Sequence, residues 1–221
     1  MLTRFEATWG VRYGLFQLAF LPSLASTVLV WLFPNAQAIH LNLLCWAVNF
    51  CAICGIFHRY LLDSVKYSIK NIKTVLLTAM GGFVVYQALI YSVSAALVLL
   101  FPQFFNVNDA HLAVAVQQSY PLMVIGTVVL VPLTEEVLYR GLIFGLLPSR
   151  LSRYLVSIGV FCAIHVMGYI GYYPPLHLLI CFVQYIPAGL VLALAYERSN
   201  SIFAPILIHM AVNAIAILPM R

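Results

Sequence analysis

Charge is scarce in this sequence. Only 8% of its 221 residues are Asp, Glu, Lys or Arg, and only six are acidic, against 64% hydrophobic. Soluble domains carry about 25% charged residues, so a water-soluble globular fold is excluded and lipid must solvate much of the surface. Internal repeats, low-complexity tracts and polar linkers are also missing, which argues for one integral membrane domain over 1–221. No segment alternates apolar and polar residues with a period of two, so a β-barrel is not expected. Cysteine is limited to Cys45, Cys51, Cys54, Cys162 and Cys181, an odd number set inside apolar runs. That pattern does not suit a secreted disulfide framework; these thiols read as small core residues, the Cys51/Cys54 pair included. The net charge of +5 comes from basic residues scattered between apolar runs, without a dense patch, so no nucleic-acid partner is expected.

What is present in abundance is apolar sequence. Seven segments, roughly 13–33, 38–57, 74–101, 121–147, 154–170, 176–195 and 202–218, are each near or above the roughly 17 to 25 residues that cross a bilayer. Backbone groups in lipid must pair within their own segment, so the expected fold is all-α: a polytopic bundle of about seven transmembrane helices. Arg4 and Arg12 precede the first segment, and Arg59, Lys66, Lys70 and Lys73 follow the second. Arg150 and Arg153 follow the fourth, and Arg198 the sixth. Lys and Arg thus mark alternate connections, with Arg221 the exception, and the positive-inside rule sets the N-terminus in and the C-terminus out. Glu6 and the full-length span behind it do not suit a cleaved signal peptide. Residues 58–73 set Leu61, Leu62, Val65 and Ile69 against Arg59, Asp63, Lys66 and Lys70, the pattern of a helix lying on the membrane surface.

Ionisable side chains inside a span cost about 2.5–3.5 kcal/mol each on insertion scales, and three late spans hold most of them. In Thr134-Glu135-Glu136-Val137-Leu138-Tyr139-Arg140-Gly141, Glu136 and Arg140 are four apart and can meet on one helix face. Glu135 lies about 100° around the helix with no local partner, and an unpaired carboxyl in such a place suits a general acid or base. Pro132 disturbs the preceding turn. Gly141 and Gly145 form a GxxxG that admits a close neighbour. The fifth span carries His165 four residues after Phe161, and the seventh sets His209 and Asn213 on one face. Two donors on one face suit a developing oxyanion, or plain interhelical hydrogen bonds. Counted from Arg150, Arg153 and Arg198, the residues Glu135, His165 and His209 lie about 11 to 15 positions deep, roughly 17 to 22 Å, so they can converge at one level. His40, His58, His111 and His177 sit near water without an evident partner. Pro187 is expected to kink the sixth span.

Glu-Glu-x-x-x-Arg (Glu135 to Arg140), Phe-x-x-x-His (Phe161 to His165) and His-x-x-x-Asn (His209 to Asn213) follow one another on late helices. The last is approached through Tyr196-Glu197-Arg198-Ser199-Asn200-Ser201-Ile202-Phe203-Ala204-Pro205. Over roughly 122–218 the chain resembles the CPBP family, the Abi-type CAAX-protease and bacteriocin-processing membrane proteins related to the Ras-converting endopeptidase. The resemblance implies an intramembrane glutamic endopeptidase of a prokaryotic cytoplasmic membrane, with no cofactor and no metal. Glu135 and His165 would activate a water, His209 and Asn213 would hold the oxyanion, and Glu136 and Arg140 would support the site. The implied partners are membrane lipid and a peptide or protein substrate entering a membrane cavity. The chain is short for that family, which bears on substrate class more than on chemistry. Three other readings compete. A zinc peptidase would use Glu135, His165 and His209 as ligands, although no His-Glu-x-x-His is present. An immunity or resistance protein would bind a peptide without cutting it. A transporter would couple a Glu–His pair to protons, although no inverted repeat is visible.

Overall fold

The computed structural model describes residues 2–19 and 30–220 and is helical almost throughout. In chain order the helices are α1 (Arg4–Ala19), α2 (Ala38–Ile56), α3 (His58–Lys70), α4 (Ile72–Leu100), α5 (Val107–Gln118), α6 (Tyr120–Leu146), α7 (Arg150–Met167), α8 (Pro175–Ser199) and α9 (Phe203–Ile217). Six of them, α2, α4, α6, α7, α8 and the stretch 203–220 that includes α9, are long and apolar enough to cross a membrane. The first expected span, 13–33, begins in α1 and ends in a helical turn at Val30–Leu32. Its middle, 20–29, lies outside the described residues, as does Arg221. Together these helices form a multi-pass membrane bundle.

Burial separates the helices into inner and outer ones. Half of the apolar stretch of α6 and of α8 is buried, against 6% of that of α4. α4 instead turns Met80, Val84, Leu99 and Leu100 outward, each 65% exposed or more. Large aliphatic groups on the outside are costly in water and suited to acyl chains. The main core gathers Val137, Leu138, Leu142, Phe161, Leu192 and Ile208 from α6, α7, α8 and α9, so the helices bearing the sequence motifs form the centre of the bundle.

Three local devices set its geometry. Thr3 and Glu6 form a capping box at α1: the Thr3 hydroxyl accepts from the Glu6 N–H at 3.2 Å, and Glu6 Oε2 accepts from the Thr3 N–H at 2.8 Å. The other oxygen, Oε1, accepts from the Tyr60 N–H at 2.7 Å and so caps α3 as well. Burial opposes ionisation of this carboxyl, but the Thr3 and Tyr60 donors outweigh it and hold Glu6 below its ordinary range. At the other end of the chain, α8 stops where Asn200 turns left-handed (φ 50°). The Ser199 hydroxyl lies 2.7 Å from the Ala195 carbonyl, and Ser201 lies 2.6 Å from Ser68 of α3. The Ser-Asn-Ser sequence is therefore a tight corner that feeds α9 back into the bundle. The third device is Gly126, against which the Trp46 ring of α2 lies so closely that any Cβ would overlap it. Gly126→Ala is expected to destabilise the protein by about 1–3 kcal/mol, the usual cost of overpacking. Thermal unfolding in detergent checks this, and an unchanged midpoint would mean that Trp46 is free to move aside.

Several expectations change in detail. The connection before Tyr120 contains α5, capped by the Asn106 side chain, which accepts from the Asn108 and Asp109 N–H groups. Gly141 and Gly145 do not seat another helix backbone; the Tyr60 and Leu2 side chains occupy the space beside them. Cys162 and Cys181 are buried as expected of core thiols, but Cys51 is exposed on α2, and all five are unpaired. α8 runs through Pro187 without ending.

Candidate active site

α6 positions the site by departing from regular α-helical winding. Its segment 131–136, which carries Thr134, Glu135 and Glu136, is flanked by wider π-type turns at Val124–Leu130 and Val137–Leu142. Such turns arise where the i→i−4 ladder cannot be kept, and they recur at functional sites. Here the Val131 N–H reaches back to the Gly126 carbonyl. Pro132 has no N–H to offer. Neither residue donates to the Thr127 carbonyl, and Asn213 Nδ2 of α9 does so instead at 2.8 Å. The Thr134 hydroxyl is turned back to its own helix, 2.9 Å from the Val131 carbonyl.

Across this segment lies a buried ion cluster. Glu136 Oε1 accepts from Arg140 Nη1 and from His209 Nδ1, both at 2.8 Å. Glu136 and Arg140 have no exposed side-chain surface. Arg140 also donates from Nη2 to the Gly189 carbonyl of α8 at 3.3 Å, and its guanidinium carbon lies 4.6 Å over the Phe161 ring of α7. Four helices are thus tied to one guanidinium–carboxylate pair. The cluster is not fully satisfied: Glu136 Oε2 and Arg140 Nε are buried without a hydrogen-bond partner. Because the carboxylate only accepts, the His209 Nδ1 carries a proton, and Nε2 is the ring nitrogen left free.

Glu135 stands beside the cluster and is not part of it. It makes no hydrogen bond among the described residues, and its Oε2 is buried and unpartnered. It lies within electrostatic range of His209, Glu136 and Arg140. A buried, unpaired carboxyl oxygen has no structural account, which makes Glu135 a candidate functional group.

His165 is held differently. Its Nδ1 lies 2.8 Å from the Phe161 carbonyl, which can only accept, so Nδ1 is protonated and Nε2 is the basic nitrogen of the neutral ring. The ring is packed between Phe161, at 4.6 Å, and Tyr185 of α8, at 4.3 Å between centroids. Phe161 also meets His209, edge-on at 5.8 Å. His165, His209 and the Glu136–Arg140 pair therefore share one aromatic wall.

Sequence reasoning did not single out three participants. Tyr185 packs on His165 and anchors its hydroxyl 3.2 Å from Asn106 Oδ1. Thr127 contributes only a carbonyl, and Gly189 likewise. A backbone acceptor has no residue type to betray it; in a regular helix Pro132 would leave the Val128 carbonyl without a donor, and only the widened turn transfers that loss to Thr127. The remaining histidines lie apart from the cluster. His58 Nδ1 is 3.1 Å from the Gly55 carbonyl, His177 Nε2 is 2.9 Å from that of Phe105, and His111 stacks on Tyr169 at 4.9 Å. Among the described residues no three His, Cys, Asp or Glu side chains come together as a metal-ligand set. The zinc arrangement of Glu135, His165 and His209 is thus not formed, and Glu136 already occupies His209 Nδ1.

Fold and site together define a class: a polytopic membrane helix bundle with a buried Glu–Arg–His cluster and an unpaired carboxyl beside it. Residues 117–215, the segment that builds the site, match the family described as type II CAAX prenyl endopeptidase Rce1-like. A relative in Bacillus subtilis (strain 168), described as "Putative membrane peptidase YdiL", is 29% identical over 104 residues. That similarity covers 46% of this chain and 38% of the relative, so the chain matches well under half of that protein's length. No solved structure matches the chain.

Proposed function

We propose that the chain is an intramembrane peptidase that hydrolyses a peptide bond of a membrane-associated protein or peptide, using Glu135 as its general base and acid, in a prokaryotic cytoplasmic membrane. The observation that carries this reading is the buried, unpartnered Oε2 of Glu135 beside the Glu136–Arg140–His209 cluster. The Rce1-like match and the Bacillus relative support a peptidase in general, and the chemistry assigned to each residue is our own reading.

A water between Glu135 and His165 gives a proton to the Glu135 carboxylate as its oxygen bonds to the carbonyl carbon. His165 Nε2, the free acceptor of a ring fixed at Nδ1, orients that water. The carbonyl electrons move onto oxygen, and His209 and Asn213 donate to the oxyanion. His209 donates from Nε2 only as the imidazolium, because Nδ1 is given to Glu136. Asn213 retains one amide N–H beyond the one bound to Thr127. The intermediate then collapses, the C–N bond breaks, and Glu135 returns its proton to the leaving amine. Charge that develops in a site shielded from water is stabilised more strongly than in bulk.

The test is cleavage of a membrane-peptide library by the purified protein in lipid, with and without a chelator, beside Asn213→Ala. Chelator-resistant cleavage is expected, and the variant should turn over about 100 to 1,000 times more slowly, the usual worth of one oxyanion donor. An unchanged rate removes Asn213 from that role. No cleavage by a folded wild-type protein shifts the reading to a peptide-binding immunity protein, and chelator-sensitive cleavage shifts it to a metal enzyme.

A further inference from the structure

α4 and α8 part at one end of the bundle and leave a cavity of about 430 Å³ between them. α4 lines it with Leu77, Thr78, Gly81 and Val85, and α8 with Leu194 and Arg198 among others. Leu77 is 59% exposed, Val85 50% and Leu194 39%, so the cavity is a groove open to the outside of the bundle. The two glycines of α4 differ in what they do. A Cβ on Gly82 would stand 2.5 Å from Ile208 Cδ1 of α9, so the Ile208 side chain packs into the space that Gly82 leaves. A Cβ on Gly81 would meet nothing within 4 Å. Gly81 leaves room that the packing of the helices does not require.

One end of this apolar groove is charged. Arg198 is its one charged lining residue, and it is exposed. Lys73 stands one turn before Leu77 on the same face of α4. Among the described residues neither has an acidic partner: the ion pairs are those of Arg140, Arg150 and His209, and the neighbouring Glu197 is engaged by Arg150 at 2.8 Å. An apolar groove along about 12 Å of α4, with two unpaired cations at its mouth, is complementary to the headgroup-proximal part of an acyl chain that ends in a negative headgroup. A neutral lipid would leave the cations unanswered, and a free anion would leave the trough unfilled.

We propose that this groove is a binding site for one anionic phospholipid, with an acyl chain along Leu77, Gly81, Val85 and Leu194 and its phosphate at Arg198 and Lys73. None of Glu136, Arg140 and His209 lines the groove, so the proposal does not depend on the peptidase reading.

Native mass spectrometry of the whole protein tests it, after equilibration in mild detergent with phosphatidylglycerol or phosphatidylcholine of identical chains. The wild type is expected to retain one phosphatidylglycerol in preference to phosphatidylcholine. Arg198→Gln should reduce that preference about fivefold, the worth of one basic group near an anionic surface. Gly81→Leu should lower retention of both lipids by filling the trough, at an unchanged thermal midpoint because its Cβ enters open space. Three results would overturn the proposal: equal retention of the two lipids by the wild type, unchanged retention in both variants, or displacement of phosphatidylglycerol by inorganic phosphate.

Discussion

Glu135→Gln is expected to lower cleavage by a factor of about 100 to 10,000, the range spanned by a positioned general acid–base group, and to leave the protein at least as stable as the wild type. The two halves of that expectation come from the same observation. Glu135 makes no hydrogen bond among the described residues, and its Oε2 is buried without a partner. Its replacement by an amide of nearly equal shape removes no contact from the fold, and it removes a buried group that would otherwise carry an uncompensated charge. A residue kept for packing would behave in the opposite way, with stability lost and turnover kept per folded molecule. The measurement is turnover on a cleaved peptide, normalised to folded protein, together with the unfolding midpoint in the same detergent. Normal turnover in the variant would remove Glu135 from the chemistry. Lost turnover with a collapsed midpoint would make it a structural residue.

The contrast between Glu135 and Glu136 was partly legible in the sequence. Helical spacing alone puts Glu136 over Arg140 and leaves Glu135 without a neighbour, and the structure has that pair at 2.8 Å. The helices were legible for a related reason. Lipid forces every long apolar run to satisfy its own backbone, so α2, α4 and α6 begin and end within about two residues of the apolar runs that mark them. α5 escaped because it is neither long nor apolar, although Asn106 with Asp109 three residues on is a recognisable helix start. Other features could not be read at all. His209 is bound to Glu136 across 73 positions of chain, and no periodicity reports a contact between distant helices. Asn213 looked like a free donor, yet one of its N–H groups is given to the Thr127 carbonyl. That bond follows from a missing N–H at Pro132 and a widened turn, which are properties of the backbone rather than of a side-chain pattern.

Arg140→Leu is expected to destabilise the bundle by about 3–5 kcal/mol, the cost of stranding one member of a buried ion pair. Arg140 joins three other parts of the site: Glu136 at 2.8 Å, the Gly189 carbonyl at 3.3 Å and the Phe161 ring at 4.6 Å. Its loss leaves Glu136 buried with only His209 to answer its charge. The pair itself, however, is a poor source of stability, since each ion was stripped of water and Glu136 Oε2 and Arg140 Nε are unpartnered even in the intact site. Adding Glu136→Leu to Arg140→Leu removes the stranded charge and should recover most of the lost stability, because apolar replacement of a whole buried pair is often neutral or better. Activity should not return with it. Without Glu136 nothing holds His209 Nδ1, so the ring loses its orientation. The unfolding free energies of both variants, set beside their turnover, separate the two roles. A double variant less stable than the single would mean that the pair holds the fold, and one that regained turnover would mean that Glu136 and Arg140 take no part in placing His209.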